Sequence, residues 1–369
     1  MYGQSFLFKL YRRLDEGINP DLEIGRFLTE RTLLSRIPPY AGAIEYRRPG
    51  AEPIIVGLLQ GFVQNEGDGW RYMVDAVERY FERVLSKRAE VKDVPKAPPS
   101  HLETAYQEVP PLLQELIGSI HLEMATLLGK RTAEFHLALS SNTDDPAFAP
   151  EPYTLLYQRS IYQAMQSHGR QTFQLLRKRL KNLPEPVQVK AEEVLNSERE
   201  ILERFKTIYR KKLSTMKVRI HGDYHLGQVL YTGNDFYIID FEGEPARALS
   251  ERRLKRSPFR DVAGMIRSFH YKAHSGLITQ ASIRPEDIPV LEPWSDLWYR
   301  YTSAAFLRSY LDTAGDAPFI PKERDEIEVL LHTFLLAKAV YEIAYELNNR
   351  PEWIMIPLKG ITHLLEIQT

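Results

Sequence analysis

An α+β chain of two unequal lobes is predicted: a small lobe over 1–66 that carries a short sheet, and a large, mainly helical lobe over 67–369. Three observations predict it. Strand-like runs rich in aliphatic and aromatic residues cluster at 6–11, 43–47 and 54–62, bounded by Gly or Pro. From Trp70 onward the apolar period becomes helical. Near 218–239 three further apolar runs interrupt the helices and enclose a dense set of His, Asp and Gln. The length, 369 residues, suits two domains or one bilobal unit at roughly 150 residues per domain.

Each element has a local reason. Between the first two strands, Leu22, Ile24, Phe27 and Leu28 share one face of a helix over 21–34, and Asn19 with Pro20 supplies a cap and a first-turn residue. Trp70, Met73, Val74, Val77, Tyr80, Phe81, Val84 and Leu85 mark one face of a helix over 70–85. The Pro-containing polar stretch 92–100 reads as an exposed loop. Long helical patterns follow near 110–141, 152–182 and 185–216, then the strands 218–220, 229–231 and 236–239. Helices resume at Asp261, and 330–347 is the longest periodic stretch.

Composition excludes several functions. The chain carries 48 Lys+Arg against 49 Asp+Glu, which argues against binding nucleic acid or anionic membrane through bulk charge. With no cysteine there is no disulfide framework, thiol nucleophile, Cys-ligated zinc or iron–sulfur cluster. The apolar patch at the start is too short for a signal-peptide core, and no apolar run reaches membrane-spanning length. A soluble, cytoplasmic protein with no nucleic-acid or membrane partner is expected.

The informative segment is RIHGDYHLGQVLYTGNDFYIIDFEGEP, 219–245. Asp223 follows an apolar strand, Gln228 comes five residues later, and Asp240 ends a hairpin strand seventeen residues after Asp223. Phosphoryl transfer needs a carboxylate to orient and deprotonate a hydroxyl, and oxygen ligands for the magnesium that bridges nucleotide phosphates. Asp223, Gln228 and Asp240 fit those three jobs in the order protein kinases use, with Gln in place of the catalytic-loop Asn and Glu242 in place of the Gly that follows Asp-Phe. Glu242 adds a carboxylate near the metal, as an outer ligand or a support behind the ligands. His221 is read as holding the loop and His225 as lying near the phosphates; a metal role is the alternative for either.

The same template asks for a lysine on an early strand paired with a glutamate on the next helix. Lys9 is that lysine, and Glu23 is the expected partner. Asp21 competes, although its place in the first helical turn suits capping and the helix dipole. Strand 54–62 has the place of an inter-lobe hinge, where backbone groups of Gln60, Gly61, Phe62 and Val63 would meet adenine.

The segments HGDYHLGQVL, IIDFEGEP, SPFRDVAGMIRSF and KAVYEIAYELNNRPEWIMIPL, with KLYRRLDEGINPDLEIGRFL near the start, resemble the maltokinases across nearly the whole chain. The resemblance implies an α+β, bilobal protein-kinase-like fold with a truncated small N-lobe sheet and a large, mainly helical C-lobe. It implies ATP- and Mg2+-dependent phosphorylation of maltose to maltose 1-phosphate, and a trehalose synthase as partner or fusion. Asp223 would be the base, Gln228 and Asp240 the metal ligands, and Lys9 with Glu23 the phosphate-positioning pair. Asp261 resembles the acid that braces a kinase catalytic loop, with a plain helix cap as the other reading. Lys338, Tyr341, Glu342 and Tyr345 put polar and aromatic groups on one helical face, a chemistry suited to a disaccharide. Trp294, Trp298 and Trp353 could add a stacking platform, although such stripes are more often core. The run Arg252, Arg253, Lys255, Arg256 reads as solvated surface.

Maltokinases carry a phosphate loop and a cap subdomain ahead of the lysine, whereas eight residues precede Lys9 here. A short-start or fragment form, impaired in nucleotide binding, is therefore expected. A nucleotide- or sugar-binding pseudokinase and a metal-dependent hydrolase using His221, Asp223, His225 and Asp240 are the competing readings.

Overall fold

The computed structural model describes residues 5–88, 93–98, 100–280 and 283–367. Strands β1 (Phe6–Leu10), β2 (Tyr40–Tyr46) and β3 (Ile54–Gly61) form an antiparallel sheet of order β1-β3-β2. Lys9 pairs in register with Leu58 and Leu58 with Ala43, so these side chains share one face. Helix α1 (Pro20–Arg31) closes that face, burying Leu22 with Tyr11, Ile55 and Leu58 in a small core of its own. The Asn19 side chain accepts the Asp21 N–H and Pro20 occupies the first turn, the start the sequence expects. The helix stops at Arg31, where Thr32 turns extended and its hydroxyl donates to the Leu28 carbonyl.

The two-residue strand β4 (Gly67–Asp68) leads into α2 (Gly69–Ser86), capped by the Asp68 side chain on the Arg71 N–H. Further along, α3 (Ser119–Leu139), α4 (Leu155–Arg179), α5 (Phe259–Thr279), α6 (Ile288–Ala314) and α7 (Arg324–Asn349) build the large lobe. The pattern over 110–141 divides into two helices at Gly118, whose φ of 94° ends the first, and 185–216 breaks into short helices ending at Arg210. Of the predicted loop 92–100, residues 92 and 99 lie outside those described; the rest between 93 and 98 has no regular structure.

The hairpin β5 (Val229–Tyr231) and β6 (Phe236–Ile238) pairs with β4 in the order β4-β5-β6. The expected strand 218–220 is absent: Val218 makes a single bridge to Arg256, and the chain then turns, because the backbone of the next residues bonds to a side chain instead of a neighbouring strand. Trp294 and Trp298 are core residues, 5% and 0% exposed, with Trp298 stacked on His121 at 5.0 Å. No helix among the described residues is long and apolar enough to cross a membrane.

Candidate active site

The segment 219–228 is held from below by one buried carboxylate. Asp261, in the first turn of α5, accepts the His221 N–H on Oδ2 at 2.7 Å and the Gly222 N–H on Oδ1 at 3.0 Å. His136 Nε2 on α3 closes on the same Oδ2 at 3.0 Å, and its Nδ1 meets the Tyr310 hydroxyl at 3.1 Å. Burial by itself would raise the Asp261 pKa, but His136 and the backbone donors outweigh it and hold the carboxyl below its usual range. Asp261 thus braces the loop, and Pro258 occupies the position before the helix. Gly222 has φ of 85°, which a side chain rarely permits. Gly264 lets α5 press on the same loop, since a Cβ there would lie 2.5 Å from the Tyr224 carbonyl oxygen.

His221 ties this loop to the following acid. Its Nε2 donates to the Ile239 carbonyl at 2.8 Å, and its Nδ1 faces the Asp223 N–H at 3.4 Å. His221 therefore holds the loop, as the sequence suggests. Asp240, next in the chain, has φ of 65°, the one non-glycine residue among those described with positive φ. Such a conformation costs roughly 1–3 kcal/mol and persists where the surroundings impose it. Here Asp21 Oδ1 accepts the N–H of Phe241 at 2.9 Å, and the Gln228 side chain lies near the Asp240 carboxylate and favours its charged form.

Lys9 sits at the centre of three carboxylates. Its ammonium donates to Asp21 Oδ2 at 2.9 Å and Asp240 Oδ1 at 2.5 Å, and lies 2.5 Å from Glu242 Oε1. Desolvation pulls the Lys9 pKa down, but the charges of Asp21 and Asp240 overcome it and the ammonium is held well above its ordinary value. Asp240 mirrors this: burial pushes it up, Lys9 pulls it further down, and the carboxylate is favoured. Lys9 therefore has a helix acid, but it is Asp21 and not Glu23. Two residues advance a helix by about 200°, so both cannot face the strand. Glu23 points away, to Arg219 Nη1 at 2.7 Å and Arg253 Nη2 at 2.6 Å.

Carboxylate oxygens of Asp21, Asp240 and Glu242 lie within 4.8 Å of one another. The three carboxylates are hard oxygen donors of the kind magnesium takes. They converge on the Lys9 ammonium, which a bound ion would have to displace from some of them, and the Gln228 amide would have to turn its oxygen inward to join them. Asp21 and Glu242 thus join the expected pair Gln228 and Asp240 at this point.

The hinge segment is more occupied than the sequence suggests. β3 is the central strand, Gly61 donates its N–H to the Pro39 carbonyl and Phe62 donates to Ser5, both at 2.8 Å. Gln60 is paired on both sides, with Leu7 and Tyr40. Val63 comes after the last of these pairings, and its carbonyl accepts from the Asn65 side chain.

On the other side of Asp223, α7 presents Lys338, Tyr341 and Tyr345. The Tyr341 hydroxyl lies near Glu244, and its pKa is raised first by burial and then by the charges of Glu244 and Asp223. Lys338 Nζ lies 4.8 Å over the Tyr341 ring, His168 of α4 stacks on it at 5.6 Å, and Tyr345 is 6.4 Å away and exposed. His225 is held below its usual pKa by burial, against the opposing charge of Asp223, with Lys338 adding to the lowering. Glu342 departs from this face: it is 7% exposed and closes on buried Arg267 at 2.6 and 3.0 Å, because its edge of the stripe meets α5. Trp353 lies beyond Tyr345, under the Arg350 guanidinium at 4.7 Å. The cationic run is not a free surface: Arg253 binds Glu23, and Lys255 is buried against Pro146 O and Glu151.

The sequence reading missed Glu244 and Arg247, although both stand in or beside the segment it singled out. Glu244 is two residues from Glu242 in an irregular stretch, where no period indicates direction.

No protein-family profile matches the chain. A glucosamine kinase of Streptacidiphilus jiangxiensis is 26% identical over 153 residues, 41% of this chain and 32% of that protein. A glucosamine kinase of Mycolicibacterium smegmatis is 30% identical over 147 residues, 40% of this chain and 34% of that protein. The matched stretch thus spans about a third of these curated relatives. Among solved structures, a glucosamine kinase superposes with a TM-score of 0.71 at 20% identity, covering 100% of this chain and 74% of that one. The same enzyme in complex with glucosamine, ADP and inorganic phosphate gives 0.70 at 20% identity, covering 99% and 73%. The fold is therefore α+β, bilobal and kinase-like.

Proposed function

We propose that the chain is an ATP-dependent sugar kinase whose acceptor is a neutral sugar, maltose at its anomeric hydroxyl, giving maltose 1-phosphate. The observation that carries this reading is the meeting of Lys9, Gln228 and Asp240 beside the loop that bears Asp223, with Lys338 and Tyr341 on the opposite side. Asp223 orients the acceptor hydroxyl and takes its proton on a carboxylate oxygen. Lys9 supplies the charge that positions the nucleotide phosphates, with Asp21 as its helix partner. Gln228 and Asp240, with Asp21 and Glu242 close by, would hold magnesium, which when bound neutralises charge on the phosphates. Adenine would meet the chain around Gln60 to Val63, entering at Val63 because the preceding amides are engaged. Lys338, Tyr341 and Tyr345 would bind the sugar by hydrogen bonds and ring stacking, with Glu342 supporting the helix from behind through Arg267. A trehalose synthase partner or fusion belongs to the same reading.

A second acceptor, glucosamine, is favoured by the names of the relatives. Against it, the face read as the acceptor side carries the Lys338 ammonium over the Tyr341 ring, a positive charge that opposes a cationic sugar. The test is ADP release from Mg-ATP across maltose, glucose and glucosamine, with and without chelator. Maltose is expected to give the highest kcat/KM and chelation to abolish release. Preference for glucosamine would replace the acceptor while leaving the kinase assignment intact.

A further inference from the structure

The loop after the metal turn carries a carboxylate whose charge is cancelled. Arg247 Nε donates to Glu244 Oε2 at 2.6 Å, three residues apart, and the Tyr341 hydroxyl lies near the same carboxylate and favours its charged form. Lys338, 4.8 Å over the Tyr341 ring, acts on Glu244 from the other side. The path of the loop is fixed independently of the Arg247 side chain: Arg252 donates to the Arg247 carbonyl at 2.8 Å and the Pro245 carbonyl at 2.9 Å. Removing the Arg247 side chain therefore leaves the backbone ties in place and exposes a negative charge beside Tyr341. Lys338, His168 and Arg260 would then face Glu244, none of them hydrogen-bonded to it.

We infer that Arg247 determines the class of sugar accepted, by holding Glu244 so that the pocket presents no uncompensated carboxylate to an ammonium group. With the pair intact the pocket suits an acceptor bearing only hydroxyls; without Arg247, Glu244 becomes the partner of an amino sugar. This rests on the reading of the Lys338–Tyr341 face as the acceptor site. Charge selection of this kind works by rejection, because like charges brought together in a partly desolvated site disfavour the wrong partner.

The experiment compares kcat/KM for maltose and for glucosamine at pH 6.5 in the wild type, Arg247→Gln, Arg247→Lys and the double variant Arg247→Gln/Glu244→Gln. Arg247→Gln should raise the glucosamine-to-maltose ratio by at least about tenfold. Arg247→Lys should stay near the wild-type ratio, and the double variant should lose the gain. An unchanged ratio in Arg247→Gln, or a gain that survives in the double variant, overturns the inference. If Arg247→Gln does not fold, the wild type still decides. Its KM for glucosamine should fall as pH rises through the titration of the sugar amine, while its KM for maltose stays level; a glucosamine KM that does not change with pH overturns the inference. A wild type that prefers glucosamine at pH 6.5 overturns the neutral-acceptor reading itself, whatever the variants do.

Discussion

Asp21 is the residue on which the small sheet and the turn that follows Asp240 converge. One of its oxygens takes the Lys9 ammonium and the Tyr11 hydroxyl, and the other takes the N–H that follows Asp240. Asp21→Asn keeps the shape but removes the charge facing Lys9, and it should raise KM for ATP and lower kcat together, by roughly 10²-fold in kcat/KM. Steady-state kinetics on purified protein checks this; an unchanged KM for ATP would remove Asp21 from the site. The sequence placed Asp21 and Glu23 in contention but favoured Glu23, because the place of Asp21 in the first helical turn suits capping and the helix dipole. What decides is phase: Lys9 sits above the first turn of α1, and only Asp21 faces it. That Gln228 and Asp240 lie together was legible because they flank one hairpin, whereas His136 takes its position from Asp261, a distant contact that no spacing encodes, and Glu244 with Arg247 stands in an irregular stretch where no period marks direction.

Helix α1 is tied to the large lobe through Glu23. Arg219, two residues before His221, is 2% exposed, lies 5.4 Å over the Phe148 ring and has Glu23 as its charge partner. Glu23→Ala would leave that guanidinium buried without its carboxylate. A loss of roughly 3 kcal/mol in unfolding free energy is expected, the low end for breaking a buried pair because Arg253 keeps one side open. Urea denaturation measures it, and a change below about 1 kcal/mol would contradict the picture. Glu23 itself is held low, since burial raises it but Arg253 and Arg219 more than compensate. Helix α5 makes the second element-scale test. Gly264→Ala places a methyl against the Tyr224 carbonyl, so the loop bearing Asp223 must shift, at about 1–3 kcal/mol and with reduced kcat. Intact activity in Gly264→Ala would show that the loop tolerates displacement. Elements with a strong period or a terminal signal, such as α1, α2, β5 and β6, were readable to within a few residues. Strand 218–220 was not, because its apolar residues serve burial while Val218 makes only a single bridge to Arg256 and the backbone of the next residues, His221 and Gly222, bonds to Asp261.

At the scale of the whole molecule, stability depends on histidines buried far from the site. Burial pushes His121 down to about 3, with Arg79 adding to the effect. His101 and His270 are also driven well below their ordinary value, first by burial and then by Arg300 and Arg267 respectively. A histidine whose folded pKa is depressed contributes stability that is complete above its unfolded value near 6.5 and is lost as pH falls toward the folded value. Each such group removes up to about 1.4 kcal/mol per pH unit in that window. The melting temperature should therefore fall steadily from pH 6.5 to 4.5, before the carboxylates of Asp240 and Asp261, both held low, begin to protonate. A flat thermal profile over that range would contradict the burial of these rings. The division into two unequal lobes was readable from the change of period, but the joining of the lobes through Asp21, Glu23 and Lys9 was not, since each contact spans more than two hundred residues or turns on helix phase. Phosphoryl transfer to a sugar with Asp223 as base can be followed by 31P NMR of the protein with Mg-ATP and maltose. A new anomeric phosphate resonance should grow in step with ADP and should slow by roughly 10²–10⁴-fold in Asp223→Asn. Equal product formation by the two proteins, or ADP accompanied by inorganic phosphate alone, would contradict it.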